Sequence, residues 1–284
     1  MQAELIFDAR AALGEGPAWD AKTQTLYWVD ILEKRVYAGT EILAELDDFV
    51  GCLAPCKNGH LLLGKRFSFA DLEPASGKLT VLASLDSEPP ANRFNDGKCD
   101  PAGRFLAGTM DMEEKSASGT LYSFEGRTVT RLLSGIRISN GLAWSPGHKT
   151  FYYIDTPTRQ VKAFDYDVAT GRIANPRIAI DVPESLGWPD GMTSDTEGNL
   201  WIAIWGGAQV TRWNPVTGKL LEQIPVPAPH TSSCVFGGRD MNELYVTSAR
   251  VGVGETDLAK YTLSGGLFKI ETKVEGMPTF EFGK

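Results

Sequence analysis

Six stretches of this 284-residue chain follow one plan: a small residue, a short apolar run, a polar turn, then a second apolar run that carries Phe, Tyr or Trp in five of the six. They are GPAWDAKTQTLYWVD from Gly16, GCLAPCKNGHLLLG from Gly51 and GKCDPAGRFLAGTMD from Gly97. The others are GLAWSPGHKTFYYID from Gly141, GMTSDTEGNLWIAIW from Gly191 and SCVFGGRDMNELYVTSA from Ser233. Successive starts lie 35, 46, 44, 50 and 42 residues apart. A period of that length suits a propeller blade of four antiparallel strands. The turns carry the residues such hairpins need, as in Asn58-Gly59, Pro101-Ala102-Gly103, Pro146-Gly147 and Glu197-Gly198-Asn199. Third strands are expected over 35–38, 119–124, 160–166 and 209–214, and fourth strands over 42–46 and 129–133. An isolated strand over 4–8 precedes the first repeat, and 265–270 reads as a third strand after the last. The N-terminal strand is therefore expected to complete the last blade and close the ring, which removes two sheet edges. The expectation is an all-β chain, a single six-bladed β-propeller domain over residues 1–284. A TIM barrel of this length would need long amphipathic helices between its strands, and the sequence has none.

A net charge of -8 and a pI near 5.0 argue against nucleic acid, whose phosphates need a basic footprint, and against an anionic membrane surface. The start, MQAELIFDAR, lacks a cationic segment followed by an apolar one, and no apolar run is long enough to span a bilayer. Cys52 and Cys56, four apart on an extended strand, would sit roughly 13 Å apart, too far to bond. All four cysteines are expected to be buried, reduced thiols in a cytoplasmic protein.

In a propeller the first strand of each blade lines a central channel, and the loops entering those strands meet at one end. The residue before each repeat start is Glu15, Val50, Asp96, Asn140, Asp190 or Ser232. Four of these six carry an oxygen that suits a hard cation. Each Xaa-Gly pair is also a turn dipeptide. Four at one phase of a repeat, aimed at one axis, point instead to a divalent metal that relieves the repulsion of converging carboxylates. HExxH, CxxC and GxSxG are absent, and His60, His148 and His230 share no ligand spacing. His148 follows a turn. His230, beside Thr231 at the channel mouth, leaves a substrate-facing role open, as do Trp188 and Trp205.

The segments LGEGPAW (13–19), NRFNDGKCDPAGRFLAGTM (92–110), SNGLAWSPGHKTFYYID (139–155), PDGMTSDTEGNLWIAIWGG (189–207) and SSCVFGGRDMNELYVTSA (232–249) resemble the senescence marker protein/gluconolactonase family. These are sugar lactonases related to regucalcin, and the likeness covers almost the whole chain. Carried over residue by residue, it implies metal ligands at Glu15, Asn140 and Asp190 and substrate contacts at Arg93, Asn95 and Glu113. Asp96 leaves the ligand set, and Asn95 faces the site instead.

The resemblance implies hydrolysis of an aldonolactone to the sugar acid, with water as nucleophile. Asp190 is the candidate general base. The cation could be Ca²⁺, Mg²⁺, Mn²⁺, Zn²⁺ or Fe²⁺. Two other functions fit the same residues. One is a phosphotriesterase of the diisopropyl-fluorophosphatase type, with Asn95 as a direct ligand; the other is a non-catalytic calcium-binding regulator. The sequence says nothing of oligomeric state.

Overall fold

The repeat is realised in a computed structural model that describes residues 1–283. Twenty-four strands carry the fold, and the one α-helix among the described residues is the short Glu255–Lys260. The strands fall into consecutive antiparallel sets of four, each stepping outward from a buried inner strand. The inner strands are Gly14–Asp20, Val50–Pro55, Asn92–Cys99, Ser139–Trp144, Trp188–Ser194 and His230–Gly237. Each lies beside the next in that order, and His230–Gly237 lies back against Gly14–Asp20. The N-terminal strand Ala3–Phe7 pairs with Leu267–Glu271 and completes the last set, as the sequence predicts.

Four sets are separate four-stranded sheets. The fifth and sixth depart from the expected pattern: a backbone pair between Trp205 and His230 joins them, so their eight strands make one hydrogen-bonded sheet. No helix among the described residues is long and apolar enough to cross a membrane.

The aromatic runs explain why the sets stack. The buried apolar residues form six clusters, each bridging two consecutive sets, and the one between the first and second sets also takes in Ala249 of the sixth. Between the second and third sets, Phe69 stacks on Phe124 at 4.5 Å between ring centroids. Between the last and the first, Trp19 stacks on Tyr245 at 5.4 Å. A fully buried aromatic such as Phe69 or Phe124 contributes about 2–3 kcal/mol, with about 1 kcal/mol more for a well-placed ring pair. All four cysteines are buried and unpaired.

The chain's last described residues cover one end of the ring of inner strands. Met277 N–H donates to the Ser194 carbonyl, Phe282 N–H to Pro55 and Gly283 N–H to Gly103. Those acceptors lie at or just past the C-terminal ends of inner strands. The end where the strands begin is left for a cavity.

Candidate active site

Every inner strand slips register at the position the repeat marks. The slips fall between Glu15 and Ala18, Val50 and Cys52, Phe94 and Gly97, Asn140 and Leu142, Pro189 and Met192, and Thr231 and Ser233. The sequence predicts loops entering these strands, but the marked residues lie inside the strands, at bulges. A bulge re-aims a side chain that a regular strand would send into one face of the sheet. At Gly51, Gly97, Gly141 and Gly191 the glycine after the marked residue answers to close packing. A Cβ on Gly51 would lie 2.3 Å from the Phe94 carbonyl oxygen, and one on Gly141 would lie 2.7 Å from that of Asp190. The Xaa-Gly pairs are therefore contact points between neighbouring inner strands.

Glu15, Arg93, Asn95, Asn140 and Asp190 all line one cavity of about 790 Å³. Glu15 and Asp190 are buried there, and their environment disfavours two negative charges. Burial, reinforced by the charge of Asp96, pushes the Glu15 carboxyl up from 4.5 to about 8. Burial and the charges of Glu15 and Asp96 raise the Asp190 carboxyl well above the usual range. Asp190 Oδ1 is buried without a hydrogen-bond partner among the described residues. Asp96 itself does not line the cavity; its Oδ1 accepts the Gly97 N–H at 2.7 Å.

The third marked residue is oriented by its neighbours. Thr156 Oγ1 donates its one proton to the Pro189 carbonyl at 2.9 Å, so it can only accept from Asn140 Nδ2, also at 2.9 Å. That fixes the Asn140 amide with its oxygen turned the other way, where Asn95 Nδ2 reaches it at 3.1 Å. Asn95 Nδ2 also donates to the Ser139 carbonyl at 2.9 Å, and Asn95 Oδ1 accepts from Arg93 at 2.7 Å. Asn95 thus links Arg93 to Asn140. Arg93 uses one terminal nitrogen on Asn95 and the Phe94 carbonyl. Its other N–H groups have no partner among the described residues. Burial brings the Arg93 guanidinium down to about 10 despite the favourable charges of Glu15, Glu114 and Asp190.

Glu113 is not brought to the cavity. Its carboxylate is exposed and pairs with Lys115 at 2.7 Å. Its neighbour Glu114, held at a φ of 59°, lines the cavity instead. The sequence also gave no place to Thr156. The available signal was its hydroxyl directly after the aromatic run FYYID, where the corresponding Ile31 and Met112 are apolar. Higher on the wall, the Arg159 guanidinium lies 3.5 Å over the Trp188 ring, and Trp205 stacks on His230 at 4.1 Å. His60 stands apart, bonded to Asp71, and His148 packs edge-on against Phe280.

The donor set suits a hard divalent cation: two carboxylates and an oriented amide oxygen, with one carboxylate oxygen buried and unpartnered. Among the described residues no group of three or more His, Cys, Asp and Glu side chains is arranged to hold a metal, so the amide oxygen of Asn140 is needed to complete the set.

Comparison with known proteins agrees with this architecture. Residues 13–250 match the model of the SMP-30/gluconolactonase/LRE-like region. Regucalcin of Danio rerio is 39% identical over 293 residues, covering 99% of this chain and 98% of its own. A solved regucalcin from Agrobacterium tumefaciens, described as a calcium-binding protein, superposes with a TM-score of 0.94 at 28% identity, covering 99% and 97% of the two chains. A luciferin-regenerating enzyme superposes with a TM-score of 0.90 at 31% identity, covering 99% of both. The chain belongs to the SMP-30/gluconolactonase/LRE-like family.

Proposed function

We propose that the six sets are the blades of one closed propeller domain that hydrolyses a sugar (aldono) lactone to the aldonic acid with one divalent cation. The observation that carries this reading is Asp190: a buried carboxylate with an unpartnered oxygen, beside Glu15, in a cavity that also presents Arg93. Glu15, Asn140 and Asp190 would hold the cation, and its family's gluconolactonase members and calcium-binding relative support the pairing of lactone with metal. When bound, the cation supplies a Lewis acid for the lactone carbonyl and acidifies water.

The chain's own groups do the rest. Arg93 directs its unpartnered N–H groups at the substrate's oxygens, and Asn95 holds Arg93 in register with Asn140. Asp190 takes a proton from the attacking water as the water oxygen bonds to the carbonyl carbon. The ring C–O bond then breaks, and the ring oxygen leaves as a hydroxyl with that proton. Asp190 acts as base in its ionised form, which the bound cation favours by offsetting the burial and the charges of Glu15 and Asp96 that hold a proton on it. Glu114, on the cavity wall, is placed to accept from a sugar hydroxyl.

A pH-indicator assay over a panel of aldonolactones tests the reading. Asp190→Asn should lower turnover by about 10²–10⁴-fold with the fold intact. Near-normal turnover would remove Asp190 as the base. Calcium binding with no lactone hydrolysed would favour the regulator function instead.

A further inference from the structure

We propose that His230 sets substrate specificity at this site by accepting, at Nε2, a hydrogen bond from a hydroxyl of the bound sugar lactone; this rests on the lactonase reading above. His230 opens the last inner strand and lines the cavity. Its Nδ1 lies 2.8 Å from the Val251 carbonyl oxygen. A carbonyl can only accept, so Nδ1 carries the proton, and in the neutral ring Nε2 then holds a lone pair. Nε2 has no partner among the described residues.

The ring is held in place from two sides. One face lies on Trp205, with centroids 4.1 Å apart and planes 15° from parallel. The backbones of the same two residues pair where the fifth and sixth sets join. The departure from separate sheets thus fixes the imidazole at the cavity wall. Partial burial lowers the His230 pKa and favours the neutral ring. Arg93 can only donate, and Glu15 and Asp190 are assigned to the cation. His230 adds an uncharged acceptor with one fixed direction, which a polyhydroxylated ring can satisfy and a deoxy analogue cannot.

The test uses the full-length, metal-loaded protein with D-gluconolactone and its monodeoxy analogues. His230→Phe keeps a ring against Trp205 and removes the lone pair. It should raise KM for gluconolactone roughly ten-fold while changing kcat far less, the loss expected for one hydrogen bond. One monodeoxy analogue should show the same loss with the unsubstituted protein and no further loss with His230→Phe. His230→Gln, whose amide oxygen can accept, should recover part of the affinity. A KM within twofold of the original, or an equal loss on every analogue, would overturn the proposal. If no lactone is turned over, the lactonase reading itself fails. The ¹⁵N resonance of His230 Nε2 during a gluconolactone titration is the independent readout: a shift on saturation supports the contact, and an unmoved resonance overturns it.

Discussion

Thr156→Val removes one hydroxyl that orients a proposed cation ligand, Asn140, from the cavity wall. That hydroxyl donates to the Pro189 carbonyl and accepts from Asn140 Nδ2, each at 2.9 Å, and all three groups are buried. Valine keeps the branched shape and loses both bonds. Two neutral hydrogen bonds at about 1 kcal/mol each, with buried partners left unsatisfied, put the stability cost at about 2–4 kcal/mol. The effect on the cation is separate. With Nδ2 unanchored, the Asn140 amide can turn and present its NH₂ group where an oxygen is needed. Loss of a supporting partner of this kind lowers metal affinity by roughly 10–100-fold, or about 1.4–2.7 kcal/mol. Calorimetric titration of Mn²⁺ into the metal-free protein reads the affinity, and a thermal melt reads the stability. Thr156→Ser, which keeps the hydroxyl, should stay close to the original protein in both. If Thr156→Val is destabilised but binds Mn²⁺ within twofold of the original, the argument for a fixed Asn140 oxygen is wrong.

Two other expectations follow from the geometry. In the metal-free fold Glu15 is pushed from 4.5 to about 8, so the folded chain keeps a proton that the unfolded chain releases in that window. Its stability contribution is full below pH 4.5 and is lost as pH rises towards 8. Melting curves in chelator should therefore show Glu15→Gln gaining on the original protein from pH 5 to 8, by on the order of a few kcal/mol, and a constant difference would contradict the burial argument. Separately, Glu114→Gln should raise KM for a hydrolysed lactone while Glu113→Gln leaves it unmoved, because only Glu114 lines the cavity. The reverse ranking would restore the position implied by family resemblance.

The repeat was legible because it is written in residue types that answer to local rules. The turn glycines and the aromatic second strands recur at one phase, and they place the strand sets within a residue or two. Glu15, Asn140 and Asp190 stand out because they sit at one phase of that repeat, but so does Asp96, and only the family resemblance sets Asp96 aside. The bulges that aim them were not legible, since a register slip is a relation between two strands and leaves no composition mark. The glycines beside them read equally well as turn residues, and only the approach of Phe94 to Gly51, or of Asp190 to Gly141, tells the two apart. Glu113 and Glu114 differ by one position in a short loop, where the left-handed backbone of Glu114 decides which carboxylate faces inward. Thr156 and His230 are held by contacts with Pro189, Asn140, Trp205 and Val251, which lie at least 16 positions away in sequence.

The most direct test of the account is turnover against bound metal. The protein is dialysed exhaustively against EDTA, assayed on an aldonolactone, and titrated with a single divalent cation while bound metal is counted. Hydrolysis should vanish on chelation and return in proportion to occupancy, saturating at one cation per chain, with Glu15→Gln needing more metal to recover. Undiminished hydrolysis by metal-stripped protein would contradict the central claim.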